Sequence, residues 1–148
     1  MKPKLWHHLM TGLGLLILLA VTVFVLLRWQ SLPEQIPTHF DGAGQADAYS
    51  SGKGGLIMLL FTAWGMYALI TVTSFFPSTW NMPGKNRPAG LRAGADMLAV
   101  LRVQMAFMFA WLLFCTAAGR DLGVWFLPVT LGSTALNLVI GVVRALRS

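Results

Sequence analysis

Four stretches of the chain, at 9–27, 56–76, 97–118 and 122–143, are dominated by apolar side chains, and each is about as long as a bilayer is thick. The first covers about 28 Å at the helical rise, close to the roughly 30 Å of a hydrocarbon core. A backbone crossing lipid must satisfy its own N–H and C=O groups, so such a run is a helix. Water is excluded as the solvent for these surfaces. The chain is 56% hydrophobic and 11% charged, against about 25% charged for an ordinary soluble domain. The sequence therefore predicts an all-α membrane protein, with residues 1–148 forming a single integral membrane domain of four transmembrane helices.

Punctuation supports these boundaries. Met1-Lys2-Pro3-Lys4 resembles the basic start of a signal peptide, but the first apolar run is too long for a signal core. It also ends at Arg28-Trp29-Gln30 with no small-x-small cleavage site, so it reads as an uncleaved anchor. A Ser/Gly/Lys cluster at 50–55 precedes the second run and Pro77 stops it. Only Gly119-Arg120-Asp121 separates the third and fourth, which predicts a tight antiparallel pair. Pro128 predicts a kink in the fourth helix, and Gly132, Ser133 and Gly141 admit the close approach of a neighbour, including a second copy of the chain.

Direction follows from charge. With the N-terminus inside, Lys2, Lys4, Lys85, Arg87, Arg92, Arg102, Arg144 and Arg147 face the cytoplasm, and Arg28, Lys53 and Arg120 face out. Glu34, Asp41, Asp47 and Asp121, four of the five acids, then fall outside. Residues 30–54 become an outer loop and 77–95 a cytoplasmic one, in which prolines at 77, 83 and 88 argue against a long helix. Trp6, Trp29, Trp80 and Trp125 stand near span ends, where an indole bridges hydrocarbon and headgroups, while Trp64 and Trp111 fall mid-span as packing residues. The expected location is a bacterial cytoplasmic membrane, crossed several times, with both termini cytoplasmic.

The spans carry no Asp or Glu, which argues against a proton-coupled antiporter, since coupling calls for an intramembrane acid. Arg102 is expected to snorkel to the cytoplasmic headgroups, and Arg92 to pair with Asp96 one helical turn away. Gln104, Asn137, Thr22, Thr62, Thr71, Ser133 and Thr134 are expected to hydrogen-bond between helices. The net charge of +6 lies at span ends rather than in a stripe interleaved with aromatics, so nucleic acid is not an expected partner. Cys115 is the only cysteine, which excludes an intramolecular disulfide and a cysteine metal cluster.

The outer loop carries the most information. Leu32, Ile36, Phe40 and Tyr49 stand among fixed prolines and an Asp-Gly turn signal, a composition foreign to a flexible linker. Pro33 and Pro37 bias the stretch up to Phe40 toward an extended strand, with Thr38 and Phe40 on one side and His39 on the other. Gly42 and Gly44 allow positive φ, folding the chain back over the bundle and bringing Asp47 toward His39.

These residues have a relative. Leu32-Pro33-x-x-Ile36-Pro37-Thr38-His39-Phe40-x-x-x-Gly44-x-x-Asp47 resembles the signature of the bacterial membrane domain of unknown function numbered 1648. That domain also forms the N-terminal part of the immunity and signal proteins that protect sporulating bacilli from the sporulation-delay toxin. The resemblance covers the first span, the loop and the second span, and extends more weakly to Asn81-Met82-Pro83-Gly84-Lys85. It implies a bacterial host, an extracytoplasmic loop with His39, Gly44 and Asp47 as signature positions, and an immunity-like signalling role.

Three readings of the loop compete. In the first, Pro37, Thr38, His39, Phe40, Asp41, Gly44, Asp47 and Tyr49 form a noncatalytic recognition surface, with aromatic anchors and acidic groups suited to a peptide or membrane-protein partner. In the second, the same residues satisfy one another and cap the bundle of a structural or accessory subunit. In the third, His39, Asp41 and Asp47 hold a metal, though catalytic zinc usually takes three protein ligands and often more than one histidine. No zinc-protease, nucleophile-elbow or phosphate-loop motif is present, so no enzyme and no cofactor is expected.

Overall fold

The computed structural model describes residues 4–147. Lys2, counted above among the inner charges, lies outside them, as do Met1, Pro3 and Ser148. Four helices, α1 (Leu5–Leu27), α2 (Gly54–Thr73), α3 (Pro88–Ala118) and α4 (Phe126–Leu146), are long and apolar enough to cross a membrane. Two short strands, β1 (Ile36–Phe40) and β2 (Ala46–Ser50), pair antiparallel between α1 and α2. The helices are apolar around most of their circumference: Leu9, Leu16, Leu19, Phe61, Leu69, Leu131 and Leu136 all point away from the protein. Such a surface is suited to lipid and to no aqueous setting.

The arrangement is not a symmetric bundle. Helix α3 packs against α1, α2 and α4, whereas α1 and α2 touch only lightly. Small residues make this approach close: Ala93, Ala99, Ala106 and Ala117 on α3 are all buried. The core joins Leu18, Val21 and Val25 of α1 and Leu56, Ala63 and Tyr67 of α2 to Ala106, Phe109, Leu113 and Ala117 of α3. Gly14 lets α1 and α2 meet, because a Cβ there would lie 2.6 Å from the Tyr67 ring. Helix α4 contributes nothing to that core and is held to α3 by its own contacts. Gly141 abuts the Met97 side chain, and the Asn137 amide donates to Gln104 Oε1 and to the Met97 carbonyl, both at 3.1 Å.

The contacts sort the connections into two ends. The hairpin meets the α3–α4 connection where the Leu122 amide donates to the Gly44 carbonyl at 2.8 Å. At the opposite end His7 near the start of α1 reaches Asp96 at 2.9 Å, and Gly84 lies against Ala145 near the end of α4.

Several expectations change in detail. Helix α3 starts nine residues before position 97, at Pro88, which occupies the first helical turn, where its missing N–H costs nothing. The loop after α2 is correspondingly shorter than 77–95. Helix α4 starts at Phe126 rather than 122, so Pro128 also falls in a first turn and has no kink to cause. Gly119 ends α3 in the left-handed conformation at φ 63°, and residues 119–125 connect the two helices. Arg102 does not snorkel: it is 4% exposed and its Nη1 donates to Thr11 Oγ1 on α1. Asp96 faces His7 and Arg144 rather than Arg92.

The mid-span polar groups divide. The hydroxyls of Thr22, Thr62, Thr71 and Ser133 donate to carbonyls of their own helices, the local bond open to any helical Ser or Thr. The interhelical bonds come from longer side chains. Besides Asn137, Trp64 Nε1 donates to Thr22 Oγ1 at 3.1 Å, and Tyr67 Oη to the Thr11 carbonyl at 2.5 Å. Trp80 is no surface belt residue, being buried against Gly94 with its Nε1 donating to the Thr73 carbonyl.

Of the two glycines expected to turn the hairpin, only Gly44 uses positive φ, at 76°. A Cβ there would sit 2.6 Å from the Gly123 carbonyl oxygen, whereas one on Gly42 would meet nothing within 4 Å. Gly44→Ala is therefore expected to cost about 2 kcal/mol through left-handed strain and lost docking, with Gly42→Ala close to neutral. Thermal unfolding of both variants in the same detergent checks the difference.

Candidate functional site: the hairpin above the bundle

The hairpin is built by its turn. Asp41 Oδ1 accepts the amides of Ala43 at 2.8 Å and Gln45 at 2.9 Å, and the Asp41 and Gly44 amides donate to the Gln45 and Asp41 carbonyls. An aspartate that satisfies its own turn in this way pre-orders the chain. The pairing then runs Ile36 to Ser50, Pro37 to Tyr49, His39 to Ala48 and Phe40 to Ala46. Thr38 is extra on one strand and Asp47 on the other, so the register slips twice in opposite senses. Simple alternation of Thr38, His39 and Phe40 is lost, as expected when a bulge redirects side chains.

The slip brings His39 and Asp47 together: His39 Nδ1 lies 2.5 Å from Asp47 Oδ1. Their side chains are 69% and 48% exposed, so the pair stands on the surface while held from below. Ile36, 1% exposed, and Pro37 anchor β1 against the helices, and Leu32 packs on the main core. Lys53 Nζ donates to the Trp29 carbonyl at 2.5 Å and lies 5.0 Å from the Trp29 ring centre, closing the base of the loop. At the far side the Ala46 amide donates to Asp121 Oδ1 at 2.9 Å.

Beneath β1 opens a groove of about 440 Å³ between α2 and α3, lined by Pro37, Thr38, His39, Phe40, Met58 and Thr116 among others. Its lining is mostly apolar, with His39 and the threonines at 38, 62 and 116 as its polar residues. Tyr49 stands outside it, 54% exposed, with its hydroxyl donating to the Ala46 carbonyl at 3.2 Å. Of the positions singled out from sequence, Thr38, His39, Phe40 and Pro37 thus line the groove. Asp47 completes the exposed pair, and Asp41 and Gly44 build the turn.

The metal reading does not fit this geometry. Asp41 Oδ1 is taken up by two amides of its own turn, and no group of three His, Cys, Asp or Glu among the described residues could hold a metal ion. The residues that sequence reasoning passed over are Asp121 and Leu122, which fasten the hairpin from the other loop. Their signal was present in the flanking Gly119 and Gly123, both at positive φ, which mark a shaped turn rather than a helix junction.

In comparison with protein families, the model of a domain of unknown function, DUF1648, matches residues 16–71. That stretch contains the second half of α1, the whole hairpin and nearly all of α2. No curated protein and no solved structure matches the chain.

Asp121→Ala removes the acceptor of the Ala46 amide while leaving the helices untouched. We expect a loss of about 1 kcal/mol, read as faster amide exchange confined to residues 44–48. Asp121→Asn, which keeps a carbonyl oxygen, is expected to preserve most of the protection.

Proposed function

We propose that the chain is a multi-pass protein of a bacterial cytoplasmic membrane, with both termini in the cytoplasm and the hairpin outside. There the hairpin serves as a noncatalytic recognition surface for a peptide or for a segment of another membrane protein. The orientation rests on charge. The hairpin end carries Arg28, Lys53 and Arg120 against Glu34, Asp41, Asp47 and Asp121, while Lys4, Lys85, Arg87, Arg92, Arg144 and Arg147 gather at the other.

The observation that carries recognition is the exposed His39–Asp47 pair, set at the rim of an apolar groove on a hairpin fixed at both ends. An exposed pair of this kind adds at most about 1 kcal/mol to stability. Rigid placement of polar groups beside an apolar recess is what a binding site requires, because little ordering entropy remains to be lost on association. Immunity-like signalling is the form of recognition suggested by the resemblance of the loop motif. The DUF1648 match over residues 16–71 covers the same loop and assigns it no role.

A second reading has its own observation. The bonds from Leu122 to Gly44 and from Ala46 to Asp121 make the hairpin a cap on the α3–α4 connection, as a structural or accessory subunit would need.

One experiment separates the two. A photoreactive residue in place of Tyr49, activated in native membranes, is expected to give a reproducible peptide or protein adduct, identified by mass spectrometry. His39→Ala and Asp47→Ala are each expected to reduce that adduct at least about fivefold while leaving insertion and thermal stability intact, since an exposed pair contributes so little to the fold. Adducts with lipid and with the chain itself alone, unchanged by either substitution, would leave only the capping role.

A further inference from the structure

The end of the bundle opposite the hairpin holds a different kind of site. Arg102 is the only charged side chain buried among the described residues, at 4% exposure. Its Nη1 is held by Thr11 Oγ1, whose own proton goes to the His7 carbonyl. Its Nε has no partner. The acid on the same helix, Asp96, is engaged elsewhere, by His7 at 2.9 Å and by Arg144 at 4.0 Å. A buried guanidinium with an orphaned donor and no counter-charge is costly, since desolvation of an ion is tolerated when a partner compensates it.

The structure provides room for that partner. Arg102 lines a cavity of about 250 Å³ together with His8, Thr11, Thr71, Ser74 and Trp80. Nη1 is fixed by Thr11, and parallel N–H donors of a guanidinium match two oxygens of a phosphate. Arg102 lies about 24 Å along α3 from Ala118 by the helical rise, which puts it roughly 6 Å inside the far boundary of a 30 Å hydrocarbon core. Phe75, 71% exposed, borders the mouth, so the cavity adjoins the lipid-facing surface as well as the end of the bundle.

We propose that this cavity is a binding site for a phosphate-type oxyanion, with the Arg102 guanidinium as its anchor. The phosphate comes either from the headgroup of an anionic lipid entering from the membrane or from a free phosphate entering from the aqueous end. One negative charge supplies the counter-ion that the buried Arg102 guanidinium lacks. This site is separate from the hairpin and independent of the role assigned there.

The test uses the full chain purified in maltoside detergent. Native mass spectrometry measures retention of dioleoyl phosphatidylglycerol against phosphate-free dioleoylglycerol, and thermal unfolding is followed with and without inorganic phosphate. Two variants accompany the wild type: Arg102→Gln, which removes the charge, and Ser74→Phe, which fills the mouth and leaves the Arg102–Thr11 bond in place.

Wild type is expected to retain phosphatidylglycerol at least about tenfold over dioleoylglycerol, or to melt several degrees higher in phosphate. Both effects are expected to disappear in each variant. Retention of the lipid with no response to phosphate assigns the headgroup, and a phosphate response without lipid retention assigns the free anion. Should Arg102→Gln fail to fold, Ser74→Phe decides alone. Lipid retention equal to that of dioleoylglycerol together with no phosphate response in wild type overturns the proposal, as do effects that persist in Ser74→Phe.

Discussion

Lipid tails are as apolar as leucine, so burying apolar surface does not by itself drive one transmembrane helix onto another. Close van der Waals approach has to do that work, supported by a few interhelical hydrogen bonds. In this chain nearly all of the close approach is made on α3. Its alanines at 99 and 106, with Leu113, repeat every seven residues, and Ala106 and Leu113 of this seam receive the core residues of α1 and α2. Gly14 and Gly141 perform the same service where Tyr67 and Met97 press in. Helix α4, which meets only α3 extensively, keeps a wide apolar surface toward its surroundings.

Polar chemistry is then confined to the two ends and to a few mid-span bonds, each worth about 1 kcal/mol or less. At the hairpin end the polar groups are exposed, and their bonds hold a small sheet in place: Asp41 within its turn, Asp121 on Ala46, Lys53 on Trp29. At the other end, beside exposed basic residues, a few groups are buried or half-buried and turned inward, with His7 on Asp96 and Arg102 on Thr11. The first arrangement presents groups to something outside the protein. The second encloses a charge that the protein leaves partly unmet.

Much of this was legible in the sequence because span length and apolar run length are the same quantity. The four helices fall within a few residues of the apolar runs, apart from the early start of α3. The starts of α3 and α4 both moved, and each now has a proline, Pro88 or Pro128, in its first turn, which proline suits better than a helix interior. The His39–Asp47 contact could be anticipated from Gly44 and the Asp-Gly turn, although the double register slip that makes it could not. A period of two carries no information about where a bulge falls. The burial of Arg102 was illegible for another reason. Position along a helix gives depth, but whether a long side chain reaches the headgroups depends on which neighbour covers it, and Thr11 lies 91 residues away in sequence.

The central claim is that these two ends face different compartments, with the hairpin outside. In a Cys115→Ala background, which removes the buried native thiol, single cysteines at Ser51 and Asn86 can be treated with a membrane-impermeant maleimide in intact cells. The account requires Ser51→Cys to be labelled at once and Asn86→Cys only after the membrane is permeabilised. The reverse pattern would place the hairpin inside and remove the basis for extracytoplasmic recognition.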